Sequence, residues 1–169
     1  MKRASLPLLL SIAVAPAAAA AAGEARGCLI SNAEVAAVQG EPVVDAKDSL
    51  RESRSLAVSQ CYYALATPAR SVSLEVTRRR PGDASGPRDH WKTVFAPAVI
   101  ARLGAKDAGA PLPVEGVGDA AYWVGDRVVG ALYVLKGDLY FRISIGGDDE
   151  AAAKRRKSER LARAVLAGL

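Results

Sequence analysis

The sequence is poor in the residue types from which enzymes build reactive centres. Only one of its 169 residues is a histidine, His90, and only two are cysteines, Cys28 and Cys61. A structural zinc site takes four ligands, mostly from histidine and cysteine, so no metal site is expected. The sequence also lacks a Gly-x-Ser-x-Gly nucleophile elbow, and we interpret His90 as a surface residue. We therefore predict no catalytic, metal or cofactor residue and no cofactor.

Long hydrophobic runs are missing as well. The longest lies in the first 22 residues, where Lys2 and Arg3 precede a short apolar segment and a run of alanines. This pattern is typical of a cleaved secretory signal peptide, and the apolar segment is shorter than the roughly 20 residues of a membrane helix. We predict a signal peptide at 1–22, a single domain at 23–169 without a transmembrane span, and a periplasmic or secreted protein.

The two cysteines are far apart, which excludes a Cys-x-x-Cys redox motif. An even pair in an oxidising compartment predicts one structural disulfide, between Cys28 and Cys61. The alternative is a lipid-anchored Cys28. Glu24 and Arg26 place charges where a lipoprotein signal has apolar and small residues, so we favour the disulfide.

Charge gives little indication of a partner. The chain has 23 basic and 18 acidic residues, and loss of Lys2 and Arg3 with the leader leaves 21 against 18, a net charge of +3. This small excess does not predict nucleic-acid binding by an exported protein. We interpret the clusters 78–80 and 154–157 as a loop and a solvated helix face. The alternative for the second is a patch for peripheral contact with an anionic envelope surface, formed by Lys154, Arg155, Arg156 and Lys157.

Hydrophobic periodicity predicts the elements of the first half. Ser31 and Glu34 have the spacing of a capping box and begin a short helix that ends at Gly40. Residues 41–55 are predicted to be a loop with at most a short strand at 43–44. Strands follow, and the alternation over residues 72–76 predicts a sheet with one buried and one wet face.

The second half repeats this order. A helix is predicted from Asp89, kinked or divided at Pro97, followed by a three-stranded meander and a final helix from residue 148 or 149. The repeated order of a helix and then strands suggests an internal duplication. We predict an α+β fold with an antiparallel sheet, helices packed on one face and a C-terminal helix.

The segment "GVGDAAYW" has the Gly-x-Gly-x-x-Ala spacing of a dinucleotide-binding loop at Gly116 and Gly118. Such a loop needs a strand before the glycines and a helix after them. Here a proline-containing stretch precedes them and strand-like residues follow. We therefore predict a tight turn in which Asp119 bonds local backbone amides.

Several motifs together carry a family resemblance. Cys28 opens a helix with Glu-Val, a tyrosine follows Cys61, and "GVGDAAYW" is followed by a strand ending in "KGD". Over residues 28–145 the chain resembles a group of uncharacterised, sensor-like exported domains, many of them actinobacterial lipoproteins. The resemblance implies an α+β fold with a helix-to-sheet disulfide and supplies no catalytic residue. This chain differs from the lipoproteins because it lacks their lipidation signal.

The meander is unusually aromatic. Tyr122, Trp123, Tyr133 and Tyr140 lie in its strands, and alternation would bring some of them to the wet face. Tyr122, Trp123 and Tyr140 could form an aromatic contact surface, or could cover the sheet beneath a helix.

These patterns predict an exported, non-catalytic domain that binds a small ligand or an envelope partner. One alternative is an envelope hydrolase using paired carboxylates, for which Asp119 with Asp126, or the acidic run 148–150, are candidates. The other is a structural accessory subunit of an envelope assembly.

Overall fold

A computed structural model describes residues 28–82, 85–104, 110–125 and 130–169. The predicted signal peptide and Asp126 lie outside the described residues. No helix in the described ranges is both long and apolar enough to cross a lipid bilayer.

The centre of the fold is an antiparallel sheet of seven strands in the order β1-β2-β3-β7-β6-β5-β4. Two meanders meet where β3 pairs with β7. The strands are β1 Val43–Glu52, β2 Leu56–Leu65, β3 Val72–Arg79, β4 Leu112–Pro113, β5 Ala120–Gly125, β6 Gly130–Lys136 and β7 Leu139–Ile145. The predicted α+β class, antiparallel sheet and C-terminal helix are confirmed.

The helices are α1 Asn32–Gln39, α2 Pro87–Val94, α3 Pro97–Gly104 and α4 Ala151–Ala167. Helix α1 begins as predicted: the Ser31 hydroxyl accepts from the Glu34 amide at 3.2 Å, and the Glu34 carboxylate accepts from the Ser31 amide at 2.9 Å. It ends at Gly40, whose φ of 78° lies in the left-handed region.

Helices α1 and α4 pack together on one face of the sheet and enclose the hydrophobic core. The alternating residues Val72, Leu74 and Val76 of β3 are fully buried beneath them, as their spacing predicts. In α4 the buried residues include Leu161 and Val165, and Leu169, which follows the end of the helix, is exposed.

Helix α2 lies on the opposite face of the sheet, so the prediction that the helices pack on one face is wrong. The rings of Trp91 and Phe95 contact tyrosines whose strand neighbours point into the core. Tyr122 is one of these tyrosines, and the next residue, Trp123, is 2% exposed in the core on the other side. Because this outer face of β5–β7 is aromatic, it binds a helix of its own.

The position of α2 also overturns the predicted internal duplication. The strands β1-β2-β3 and β7-β6-β5 do mirror one another about the β3–β7 pairing. The helices that precede the two strand sets, α1 and α2, lie on opposite faces of the sheet. The unit of helix plus strands is therefore not repeated.

Strand β1 was expected to be mostly loop, and it is a strand of ten residues. It is an edge strand, paired with β2 alone, and most of its side chains are exposed on both faces. Exposure on both faces removes the alternation from which a strand is recognised, and charged residues are a common device for protecting a sheet edge.

The second helical segment differs from its prediction at its start. Gly86 is the N-cap of α2 and Pro87 is the first helical residue, while Asp89 lies one turn in and accepts from the Gly86 amide at 3.4 Å. Proline suits the first helical position because its missing N–H has no partner there in any case. The expected interruption at Pro97 divides the segment into α2 and α3.

Two links fasten the start of α1 to β2. A disulfide joins Cys28 to Cys61, with Cα atoms 5.1 Å apart. Beside it the Tyr63 hydroxyl accepts from the Ile30 amide at 3.2 Å and donates to the Ile30 carbonyl at 2.7 Å. Cys61 and Tyr63 are both fully buried, so the links anchor the helix in the core.

Candidate functional site

An aromatic cluster fills the space between α2 and the outer face of the sheet. Phe95 stacks on Tyr122 with ring centroids 4.7 Å apart and meets the edge of Tyr133 at 5.4 Å. Trp91 lies 4.4 Å from Phe95 and 6.1 Å from Tyr140. These distances are typical of favourable aromatic pairs, so the rings stabilise the packing of α2 on the sheet.

Beside this cluster is a cavity of about 340 Å³, which we call the aromatic pocket. Helix α2 forms one wall and strands β3, β6 and β7 form the other. Its lining residues are Glu75, His90, Trp91, Val94, Phe95, Tyr133, Tyr140 and Arg142. Such a volume falls at the lower end of small-molecule sites, which are mostly apolar with a few polar groups.

The local sequence explains why these side chains converge. Trp91 and Phe95, the C-cap residue of α2, are four residues apart and therefore lie on one side of this helix. In β7, Phe141 and Ile143 point into the core, so Tyr140 and Arg142 point to the pocket. The antiparallel register places Arg142 opposite Tyr133 on β6 and opposite Glu75 on β3.

The charges of the pocket lie on its sheet side. The Arg142 guanidinium lies over the Tyr133 ring, 5.8 Å from its centroid. Burial raises the pKa of Tyr140, and the negative charge of Glu75 acts in the same direction. Tyr140 adds a hydroxyl group to the lining of the pocket.

His90 occupies the rim of the pocket. Its ring stacks on Tyr140 with centroids 5.7 Å apart, and the residue is exposed. The expectation of a surface histidine is confirmed. In the described part of the chain no group of three or more His, Cys, Asp or Glu side chains is placed to hold a metal ion.

The predicted aromatic contact surface divides between the two faces of the sheet. Tyr122 and Tyr140 lie on the α2 face, half-buried against Trp91. Trp123 lies in the core on the opposite face and belongs to no exposed surface. Trp123 is therefore removed from this surface, and Tyr133 takes part in it.

The predicted basic patch on α4 is also corrected. Lys154 is 0% exposed, and the Lys157 ammonium donates to Asp149 at 2.6 Å and to Gln39 at 3.2 Å. Arg155 forms an ion pair with Glu159 at 3.6 Å, which leaves Arg156 as the exposed member. The four cations lie around the helix, because successive helical residues point in different directions, and they do not form one patch.

The glycine segment is a turn, as predicted. Gly116 and Gly118 have φ values of 71° and 65°, and β5 follows them directly, where a dinucleotide-binding loop requires a helix. Asp119 holds this turn against a distant one: its carboxylate accepts from the Gly137 amide in the β6–β7 turn at 2.8 Å. The expected bonding to local amides is therefore wrong, and the "GVGD" and "KGD" motifs contact each other.

Two of the candidate hydrolase carboxylates, Asp119 and Asp149, are held in ion pairs. Asp119 contacts Arg88 at 3.2 Å and Lys136 at 3.3 Å, and the hydrogen bond from the Gly137 amide is the largest cause of its lowered pKa. Glu150 caps α4. Of the described residues that line the aromatic pocket, Glu75 is the one carboxylate.

Compared with protein families and with curated proteins, the sequence gives no match. The resemblance to exported domains thus remains a prediction from the motifs.

The sequence does not single out Trp91, Phe95, Glu75 or Arg142 as binding residues. The spacing of Trp91 and Phe95 is typical of the apolar edge of a helix, and strand alternation places Glu75 and Arg142 on the wet face of the sheet. Spacing indicates which face each side chain occupies. The pairing of β3 with β7 and the packing of α2 on these strands bring the side chains together.

Proposed function

We propose that the protein acts outside the cytoplasm as a non-catalytic binding domain for a small organic molecule that carries a flat apolar ring. The aromatic pocket is the observation that carries this proposal: several rings and a few polar groups line a cavity of about 340 Å³. Rings bind flat apolar groups by burial and stacking, while polar groups at the margin orient them.

The tryptophans provide a direct test. The Trp123→Phe variant keeps Trp91 in the pocket wall, and the Trp91→Phe variant keeps Trp123 in the core across the sheet. Titration with benzyl alcohol, a neutral ring probe, should shift the fluorescence of the first variant in a saturable way and leave the second nearly unchanged. An equal response of both variants, or no saturable response, would contradict the proposal.

A blocking variant separates binding from general solvent effects. Val94 lines the cavity and is only half-buried, so Val94→Phe should fill part of the pocket without disturbing the core. We expect its unfolding to match the parent protein and its response to benzyl alcohol to disappear. Mass spectrometry of material that co-purifies with the protein from its native envelope would then identify the natural ligand.

Export is the second part of the proposal. The leader pattern of residues 1–22 and the Cys28–Cys61 disulfide both support it, because disulfides persist in oxidising compartments. N-terminal sequencing of protein from the native host should find a chain that begins near residue 23 with both thiols oxidised. An intact leader together with free thiols would contradict export.

A further inference from the structure

Glu75 and Arg142 form an unusual pair on the sheet side of the aromatic pocket. They are direct partners in the β3–β7 register, and both are half-buried. Opposite charges at such positions usually attract one another. Within the described residues, however, the Glu75 carboxylate has no ion-pair or hydrogen-bond partner, and Arg142 is turned onto the Tyr133 ring.

The two charges lie where the sheet changes character. One row of directly opposed residues crosses its outer face from β1 to β5: Ser49, Gln60, Glu75, Arg142, Tyr133 and Tyr122. The row is polar as far as Arg142 and aromatic beyond it. Glu75 also borders a second cavity of about 240 Å³ over β1 and β2. A molecule seated in the aromatic pocket would therefore lie with its ring under α2 and its polar end over β3 and β7.

We infer that the ligand of this pocket is a zwitterion, with a carboxylate bound by Arg142, an ammonium bound by Glu75 and an apolar ring between α2 and the sheet. An α-amino acid with an aromatic or apolar side chain is the simplest molecule of this kind. The inference rests on the proposed function, since it specifies the ligand of the same pocket.

Electrostatics favours this class over ligands with one charge. A carboxylate alone is attracted by the Arg142 guanidinium but repelled by the negative charge of Glu75. An ammonium alone is attracted by Glu75 but repelled by Arg142. A zwitterion satisfies both groups with charge-assisted hydrogen bonds. The planar Arg142 guanidinium matches a carboxylate in shape, and its cation–π contact with the Tyr133 ring favours this position before the ligand arrives.

Four probes that share one phenyl ring test the inference on the Trp123→Phe protein. They are L-phenylalanine (both charges), 3-phenylpropanoate (carboxylate), 2-phenylethylamine (ammonium) and 3-phenylpropanamide (uncharged). L-Phenylalanine should bind about tenfold more tightly than each of the others. Equal affinity of all four would overturn the zwitterion inference and leave the proposed function standing, whereas failure of all four to bind would overturn both.

Charge-removing variants give a stricter test. Glu75→Gln should weaken L-phenylalanine about tenfold and strengthen 3-phenylpropanoate, because the repulsion is gone; Arg142→Gln should likewise strengthen 2-phenylethylamine. A merely structural role for either residue would weaken every probe together. Glu115→Gln and Arg156→Gln alter exposed charges away from the pocket and should change no affinity. Uniform weakening in both pocket variants would overturn the inference.

Discussion

Gly116 and Gly118 stand two positions apart in one turn, with similar positive φ values and very different surroundings. A methyl group added at Gly116 would meet nothing within 4 Å. At Gly118 it would lie 2.5 Å from the Leu135 carbonyl oxygen and 2.6 Å from a Val134 methyl group. The first glycine is required by the backbone conformation alone, and the second also by its close approach to β6.

This contrast makes a prediction at the level of single residues. Gly116→Ala should lower the free energy of unfolding by about 1–2 kcal/mol, the cost of a left-handed alanine. Gly118→Ala should cost at least about 1 kcal/mol more, because β6 must also shift. Urea unfolding of the two variants measures the difference. Equal destabilisation would show that the β6 contact is unimportant.

At the level of elements, a partly buried ion pair fixes the start of α4. It joins Lys157 of the helix to Asp149, which lies just before the helix begins. The hydrogen bond from Lys157 is the largest cause that holds the pKa of Asp149 below 3.8. A carboxyl whose pKa is lower in the folded than in the unfolded chain stabilises the fold above the unfolded value. It loses that contribution as the pH falls through the folded value.

The expected consequence concerns the variant Asp149→Asn. It should be less stable than the parent protein at neutral pH, and the difference should shrink as the pH falls below 3.8. Urea unfolding of the variant and the parent protein, at neutral pH and at acidic pH values where the parent protein is still folded, measures this difference. Asp48→Asn, which alters an exposed carboxylate on β1, serves as the matched control. A difference that is constant with pH would rule out the ion pair as its cause.

How far the sequence predicts each element depends on how local its cause is. The capping box of α1 and the alternation of β3 involve residues within four positions of each other, and both are found as expected. The edge strand β1 was missed because its side chains are solvated on both faces. The face chosen by α2, the contact of Asp119 with Gly137, and the meeting of Glu75 with Arg142 depend on partners far along the chain, which periodicity does not reveal.

At the level of the whole molecule, the disulfide closes a loop that contains α1, β1 and most of β2. Its cysteines are separated by 33 positions. In the chain-entropy account, closing such a loop stabilises the fold by about 3–4 kcal/mol.

The variant with Cys28→Ala and Cys61→Ala should therefore unfold at a lower urea concentration, with a loss of about 3–4 kcal/mol, to which the cavity at the buried Cys61 adds. The parent protein measured with and without reductant removes the cavity from the comparison. Unchanged stability on complete reduction would contradict a stabilising role for the bond.

The same bond has a mechanical consequence. Tension applied to the chain on the N-terminal side of Cys28 passes through the two sulfur atoms to Cys61, within the hydrogen-bonded strand β2. Helix α1 is thereby shielded from the load and cannot be peeled away turn by turn. A pulling force on the N-terminal side of Cys28 would have to shear β2 against β1 and β3.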